Sequence, residues 1–67
     1  MFDVQANGRR LRELRGNLRL ETVAAAVNIS ASSLAMYESG KRNPRDEVKI
    51  ALADYFGASV NDIFFAN

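Results

Sequence analysis

Between Leu20 and Pro44 the apolar residues fall into two short helical registers set three residues apart, and this spacing constrains the fold more than any other feature of the chain. Leu20, Val23, Ala24 and Val27 recur at i, i+3, i+4 and i+7, one stripe of a helix. Ala25 and Ala26 add helix propensity and small bulk that lets another helix approach closely. The run stops at Asn28, because asparagine is the best non-glycine residue for a left-handed helix end, and Ile29 beside it can plug the angle between two helices. Ser30 is the natural N-cap of a second helix running to about Ser39, with Leu34 and Tyr37 inward and Gly40 as its stop. Two helices so closely joined must turn sharply. Lys41-Arg42-Asn43-Pro44-Arg45 then forms a basic loop.

The flanking segments read as three further short helices. Asp3 or Asn7 can cap a first one, whose stripe is Val4, Leu11 and Leu14 and which ends near Gly16-Asn17. After the basic loop, Val48, Ala51, Leu52, Tyr55 and Phe56 make the apolar face of a fourth, ended by Gly57. Ser59 caps a last turn with Asp62 three residues on, a weak capping box, and Val60, Ile63 and Phe64 give it an inward side. Alternation of strand type is absent, as are repeats and low-complexity segments. The expectation is an all-α fold of five short helices forming one domain over residues 1–67.

Composition narrows the function. With 67 residues, the chain holds a modest core and depends on good helix packing, staples or a partner subunit. It has no cysteine and no histidine, which removes disulfides and thiolate sites and leaves a zinc site only carboxylates. The same absences, with scattered carboxylates, leave no poised base or nucleophile, so an enzyme is not expected and no cofactor is implied. Neither a run of membrane-spanning length nor a secretion signal is visible, so the expected location is cytoplasmic, with no membrane partner. A net charge of +1 is low for a nucleic-acid binder, but its distribution is uneven. Arg9, Arg10, Arg12, Arg15 and Arg19 crowd the first part and Lys41, Arg42 and Arg45 one loop, while Asp54 and Asp62 lie towards the end. One face is therefore expected to be basic.

Three stretches resemble the helix-turn-helix domain of the phage repressor and Cro type, the XRE-like family. They are Gly8-Arg9-Arg10-Leu11-Arg12-Glu13-Leu14-Arg15, Val23-Ala24 followed by Val27-Asn28-Ile29-Ser30, and Tyr37-Glu38-Ser39-Gly40-Lys41-Arg42-Asn43-Pro44. The last is similar to the family's Glu-x-Gly-Lys-x-x-Pro signature, and Leu52-Ala53, Phe56-Gly57 and Ser59-Val60 follow its later pattern. The resemblance runs from Gly8 to about Phe64 and implies a five-helix lambda-repressor-like domain. Carried over by position, it places Ala31, Ser32 and Met36 at base edges in the major groove. It places Arg19, Leu20, Ser39, Lys41, Arg42, Asn43 and Arg45 at phosphates. Arg15 and Glu38 match a pair that ties the first helix to the end of the recognition helix.

Departures from the family pattern bear on function. Relatives usually carry glutamine at the position of Leu20, where its amide bonds a phosphate. Leucine cannot do this; it fits the core stripe, and Arg19 is positioned to supply the contact. The stretch between Leu14 and Val23 is about two residues shorter than the pattern, so the second helix is open to an earlier start capped by Asn17. The recognition helix contains no Arg, Lys, Asn or Gln, the side chains that pair bidentately with purines. Readout would rest on Ser32, on apolar contact of Ala31 or Met36 with thymine methyls, and on water and shape. Capping competes with base contact for Ser30 and Ser33, as core or partner packing does for Met36.

Two function classes follow. One is a sequence-specific transcriptional regulator, nucleoid-associated, that binds double-stranded operator DNA as a homodimer and needs no small-molecule ligand. The other is an interaction module, an antitoxin or a regulator's partner, that keeps the fold with weak DNA affinity. The expected dimer surface is Ile63, Phe64 and Phe65, because adjacent phenylalanines on a short helix cannot both enter the core. Folding of Phe65 back over Phe2 and Val4 is the alternative.

Overall fold

Asp3 opens the first helix in the computed structural model, which describes residues 3–66. Its carboxylate accepts the backbone N–H groups of Gln5 and Ala6, both at 3.1 Å. These are two of the donors that a helix start leaves without partners. Asn7, the alternative cap, lies inside the helix and is buried, accepting a hydrogen bond from Arg10. Four α-helices follow in order: α1 Val4–Arg15, α2 Leu20–Ala26, α3 Ala31–Glu38 and α4 Asp46–Phe56. A short π-helical turn, Asn61–Phe65, ends the described chain, with the Ser59 hydroxyl accepting the Asp62 N–H at 3.0 Å. The described residues are thus all helix and turn, with five helical elements.

The turn between α2 and α3 forms as its residues predict. Asn28 takes φ 62°, and the N–H groups of Asn28 and Ile29 reach back to the carbonyls of Ala25 and Ala24. That closes the end of α2 while Ile29 packs against the core. Ser30 then caps α3, accepting the Ser33 N–H at 3.0 Å. Removal of such a cap costs about 1 kcal/mol. By contrast α2 begins at Leu20 with no side-chain cap, so the earlier start at Asn17 does not occur. Leu18 N–H instead bonds the Arg15 carbonyl, a tight turn that accounts for the short connection.

Leu11, Val23, Leu34, Leu52, Ile63 and Phe64 are almost fully buried and join every helix into one core. Leu20 packs against its edge. Three expectations are corrected here. Leu14 is 41% exposed, because the face of α1 turned to α3 is Asn7, Gly8, Leu11 and Arg15, about a quarter-turn from it. Tyr55 is 40% exposed, its ring edge-on to Phe56, because α4 turns Val48, Lys49, Leu52 and Ala53 inward. Ile63 and Phe64 face inward as the stripe of the last turn predicts, so neither belongs to the expected dimer surface, and of that trio Phe65 alone is exposed. Phe2 lies outside the described residues.

Candidate nucleic-acid interface

Because Leu34 and Tyr37 anchor α3 in the core, its opposite side is left to solvent. Ser32, Ala35 and Met36 are exposed there, Met36 at 39%. Ala31, expected beside Ser32 as a base reader, is half-buried and packs against the core, so only part of its methyl group is free. Ser30 and Ser33 are joined at 2.9 Å by a bond from the Ser30 hydroxyl to Ser33 Oγ, so capping employs both.

The chain leaving α3 is held by Gly40, which takes φ 76° and lies against Gln5; an added Cβ would meet Gln5 Cγ at 2.8 Å. Lys41 N–H bonds the Met36 carbonyl and the Ser39 hydroxyl donates to the same oxygen at 3.1 Å. Pro44 is buried, while Lys41, Arg42, Asn43 and Arg45 around it are exposed. Three cations therefore stand on a short loop pinned at both ends. Arg19, at the start of α2, is exposed and 3.8 Å from Glu21, a surface pair worth little energetically and easily exchanged for a phosphate.

Arg15 positions these parts. Its Nε and Nη2 donate to the two Glu38 oxygens at 2.6 and 3.0 Å, a two-pronged pair, and its Nη1 donates to the Leu18 carbonyl at 2.8 Å. One guanidinium so joins α1, the end of α3 and the turn leading to Arg19. The Glu38 hydrogen bond raises the Arg15 pKa above the ordinary arginine range, keeping the group charged. Arg15 and Glu38 side chains are 18% and 7% exposed, so the pair is shielded from salt better than a surface pair.

Arg10, Lys49 and Ile50 carry roles that periodicity does not reveal. Arg10 donates to the Ile63 and Ala66 carbonyls at 2.8 and 2.7 Å and to Asn7, clasping the terminal turn from α1. Its charge is consequently turned away from the candidate interface. Lys49 is buried, with its ammonium over the rings of Phe64 and Phe65 at 5.8 and 5.1 Å. Ile50 is 54% exposed and shares an open apolar groove of about 350 Å³ with Val60 and Phe65. Charged and apolar residues alternate along this part of α4, and the helical stripe of Val48, Ala51, Leu52, Tyr55 and Phe56 passes over both Lys49 and Ile50.

Among the described residues no cluster of acidic side chains could hold a metal ion, and no helix is long and apolar enough to cross a membrane.

Comparison with known proteins agrees with this arrangement. A helix-turn-helix domain family model matches residues 8–63. The chain is 43% identical over 56 residues to the HTH-type transcriptional regulator DdrOP3 of Deinococcus deserti, a match covering 81% of this chain and 43% of that protein. It therefore spans less than half of that relative's length. Its structure superposes on the restriction-modification controller protein C.AhdI from Aeromonas hydrophila with a TM-score of 0.84 at 31% identity, covering 92% of this chain and 97% of that one. It also superposes on the DNA-binding domain of the P22 C2 repressor with a TM-score of 0.80, covering 97% and 95% at 22% identity, a likeness of fold. The capped turn, the outward face of α3 and the family match over residues 8–63 make the chain a member of the helix-turn-helix domain family, with the fold of a phage repressor's DNA-binding domain.

Proposed function

We propose that this chain binds duplex operator DNA as a homodimer, with α3 in the major groove. The observation that carries this reading is the exposed side of α3, Ser32 and Met36, flanked by the exposed cations Lys41, Arg42 and Arg45 on a pinned loop. A helix matches the width of the major groove, and cations beside it neutralise the phosphates that border the groove. In this docking Ala31, Ser32 and Met36 meet base edges. Arg19, Ser39, Lys41, Arg42, Asn43 and Arg45 meet phosphates, and Arg15 with Glu38 fixes the pose of α3.

The homodimer follows from scale. One module reads few base pairs, and specific affinity in such folds comes from two copies on half-sites about one helical turn apart. Phe65 and Ile50, both exposed beside one apolar groove, supply the surface for a self-complementary contact. The alternative, a protein-interaction module with weak DNA affinity, is favoured by the outward side of α3, which offers only serine, alanine and methionine.

Selection of bound duplexes from random DNA tests the reading. A two-fold symmetric consensus, with affinity falling steeply as salt rises, is the expected result. Recovery of no preferred sequence, with salt-insensitive binding, overturns operator recognition and leaves the interaction module.

A further inference from the structure

Alongside α3, away from the side that carries Ser32 and Met36, lies a polar cleft of about 440 Å³ between that helix and the loop before α4. Ser33 and Tyr37 form one wall, Arg42, Asn43 and Arg45 the other, and no carboxylate lines it. Tyr37 is only 9% exposed, yet its hydroxyl makes no hydrogen bond among the described residues and keeps contact with solvent. A phenol held this deep normally finds a partner, since an unused donor there forfeits its hydrogen-bond energy. Ser33 Oγ already accepts from Ser30, which leaves its own proton to donate outward.

We propose that this cleft seats one phosphate of the DNA backbone, with the Tyr37 and Ser33 hydroxyls as neutral donors and Arg42 and Arg45 as the balancing charges. The assignment rests on the duplex-DNA reading above and adds two residues to it. An anion suits this lining, because its polar side chains are two guanidinium groups, the amides of Asn28 and Asn43 and the hydroxyls of Ser30, Ser33 and Tyr37, with no carboxylate. A tetrahedral oxyanion suits this set, since its several oxygens can take bonds from both walls at once. The role differs from that of the loop cations. A hydroxyl that bonds a phosphate releases no counterion, so it strengthens binding without adding to the salt dependence, and it fixes the depth at which α3 enters the groove.

The test compares wild type with Tyr37→Phe, which keeps the packed ring, and with Ser33→Ala, which keeps the Ser30 cap. Thermal melts establish that each variant is folded. By fluorescence anisotropy on a duplex from the selection, each variant is expected to bind about three- to tenfold more weakly, with an unchanged salt slope. Replacing backbone phosphates one at a time with neutral methylphosphonate should reveal one position that weakens wild type but costs Tyr37→Phe much less. If wild type binds duplex and both variants match it, or if the methylphosphonate losses are the same in wild type and Tyr37→Phe at every position, the seat is overturned while the DNA reading stands. If wild type binds no duplex, the DNA reading falls, and titration with inorganic phosphate decides the cleft. Saturable shifts of the Ser33 amide and Tyr37 ring signals that vanish in Tyr37→Phe would retain it as a site for free phosphate, and their absence would overturn it.

Discussion

Gly8 of α1 rides directly on the carbonyl of Tyr37, so closely that a methyl group on Gly8 would stand 2.6 Å from that oxygen. This contact between backbones sets the distance between α1 and the carboxyl end of α3, and thereby the height of α3 above the core. In an isolated helix Gly8→Ala would stabilise by about 1 kcal/mol. Here the methyl meets backbone, which cannot step aside as a flexible side chain can, so overpacking outweighs propensity. A net loss of about 1–3 kcal/mol is expected in urea denaturation, with weaker duplex binding even where the variant is fully folded. A variant as stable as wild type would show that α1 and α3 slide apart without cost.

Replacing Arg15 by alanine strands the Glu38 carboxylate, which is 7% exposed, and frees the Leu18 carbonyl. The expected destabilisation is about 1–3 kcal/mol, below the figure for a fully buried pair because the arginine keeps partial contact with water. A double-mutant cycle with Glu38→Ala should give a coupling energy above about 1 kcal/mol. The pH behaviour has a definite sign. A raised arginine pKa contributes stability that is complete below the unfolded value and is lost only as pH rises through the folded one. That window lies above the ordinary arginine range, so Arg15→Ala and wild type should differ by a constant amount from about pH 6 to about pH 9. Additive single losses, or a difference that changes across this interval, would mean that the bond geometry does not govern the energy.

The parts of the fold legible in the sequence are those encoded within a few residues. Asn28 at a left-handed corner, Ser30 capping Ser33 and Asp3 capping α1 are local devices, and each forms where its residue type predicts. The rest is set by contacts distant in sequence. Leu14 fits a periodic stripe, but Gly8 must face α3, and that requirement rotates α1 until Arg15 points inward and Leu14 outward. Arg10 looks like one more surface cation in an arginine-rich helix, yet it clasps carbonyls more than fifty positions away. Phe64 and Phe65 diverge because neighbours on a short helix must. Which of them faces in depends on where α4 and Lys49 lie, and nothing local encodes that.

Replacement of Lys41 and Arg42 by alanine tests the loop. Both are exposed and neither is paired with an acid among the described residues, so their removal should leave stability within about 0.5 kcal/mol of wild type. Affinity for specific and unrelated duplexes should fall by similar factors, and the slope of log affinity against log salt should flatten by about one unit for each phosphate no longer neutralised. A changed base preference with an unchanged slope would make the loop a reader of bases.

Ser32 is the cleaner position at which to alter specificity, since Ala31 is partly engaged by the core. Ser32→Arg places a bidentate donor on the exposed first turn of α3, where it should recruit guanine at one or two positions of each half-site. The change should be worth about 1–3 kcal/mol of discrimination in a binding selection, with the melting behaviour little altered. An unchanged consensus would remove α3 from the groove.

Phe65 is 39% exposed, with the Lys49 ammonium 5.1 Å from its ring centre, so its ring is placed but not enclosed. Beside it the groove formed with Ile50 and Val60 is apolar on its floor and bordered by Asp46 and Lys49. A two-fold axis through this region would set each Phe65 against its counterpart and bury Ile50 with it, while Lys49 stays paired with Asp46 of its own chain at 3.9 Å. Phe65→Ser is expected to shift sedimentation from dimer towards monomer at micromolar concentration. Binding to paired half-sites should then weaken much more than binding to a single half-site, because only paired sites draw on the contact between copies. Ile50→Ser should act in the same direction without touching the terminal turn, which separates loss of an interface from loss of local structure. A wild-type chain that sediments as a monomer at high concentration, both free and on DNA, would sink the dimer and leave Ile50 and Phe65 without that role.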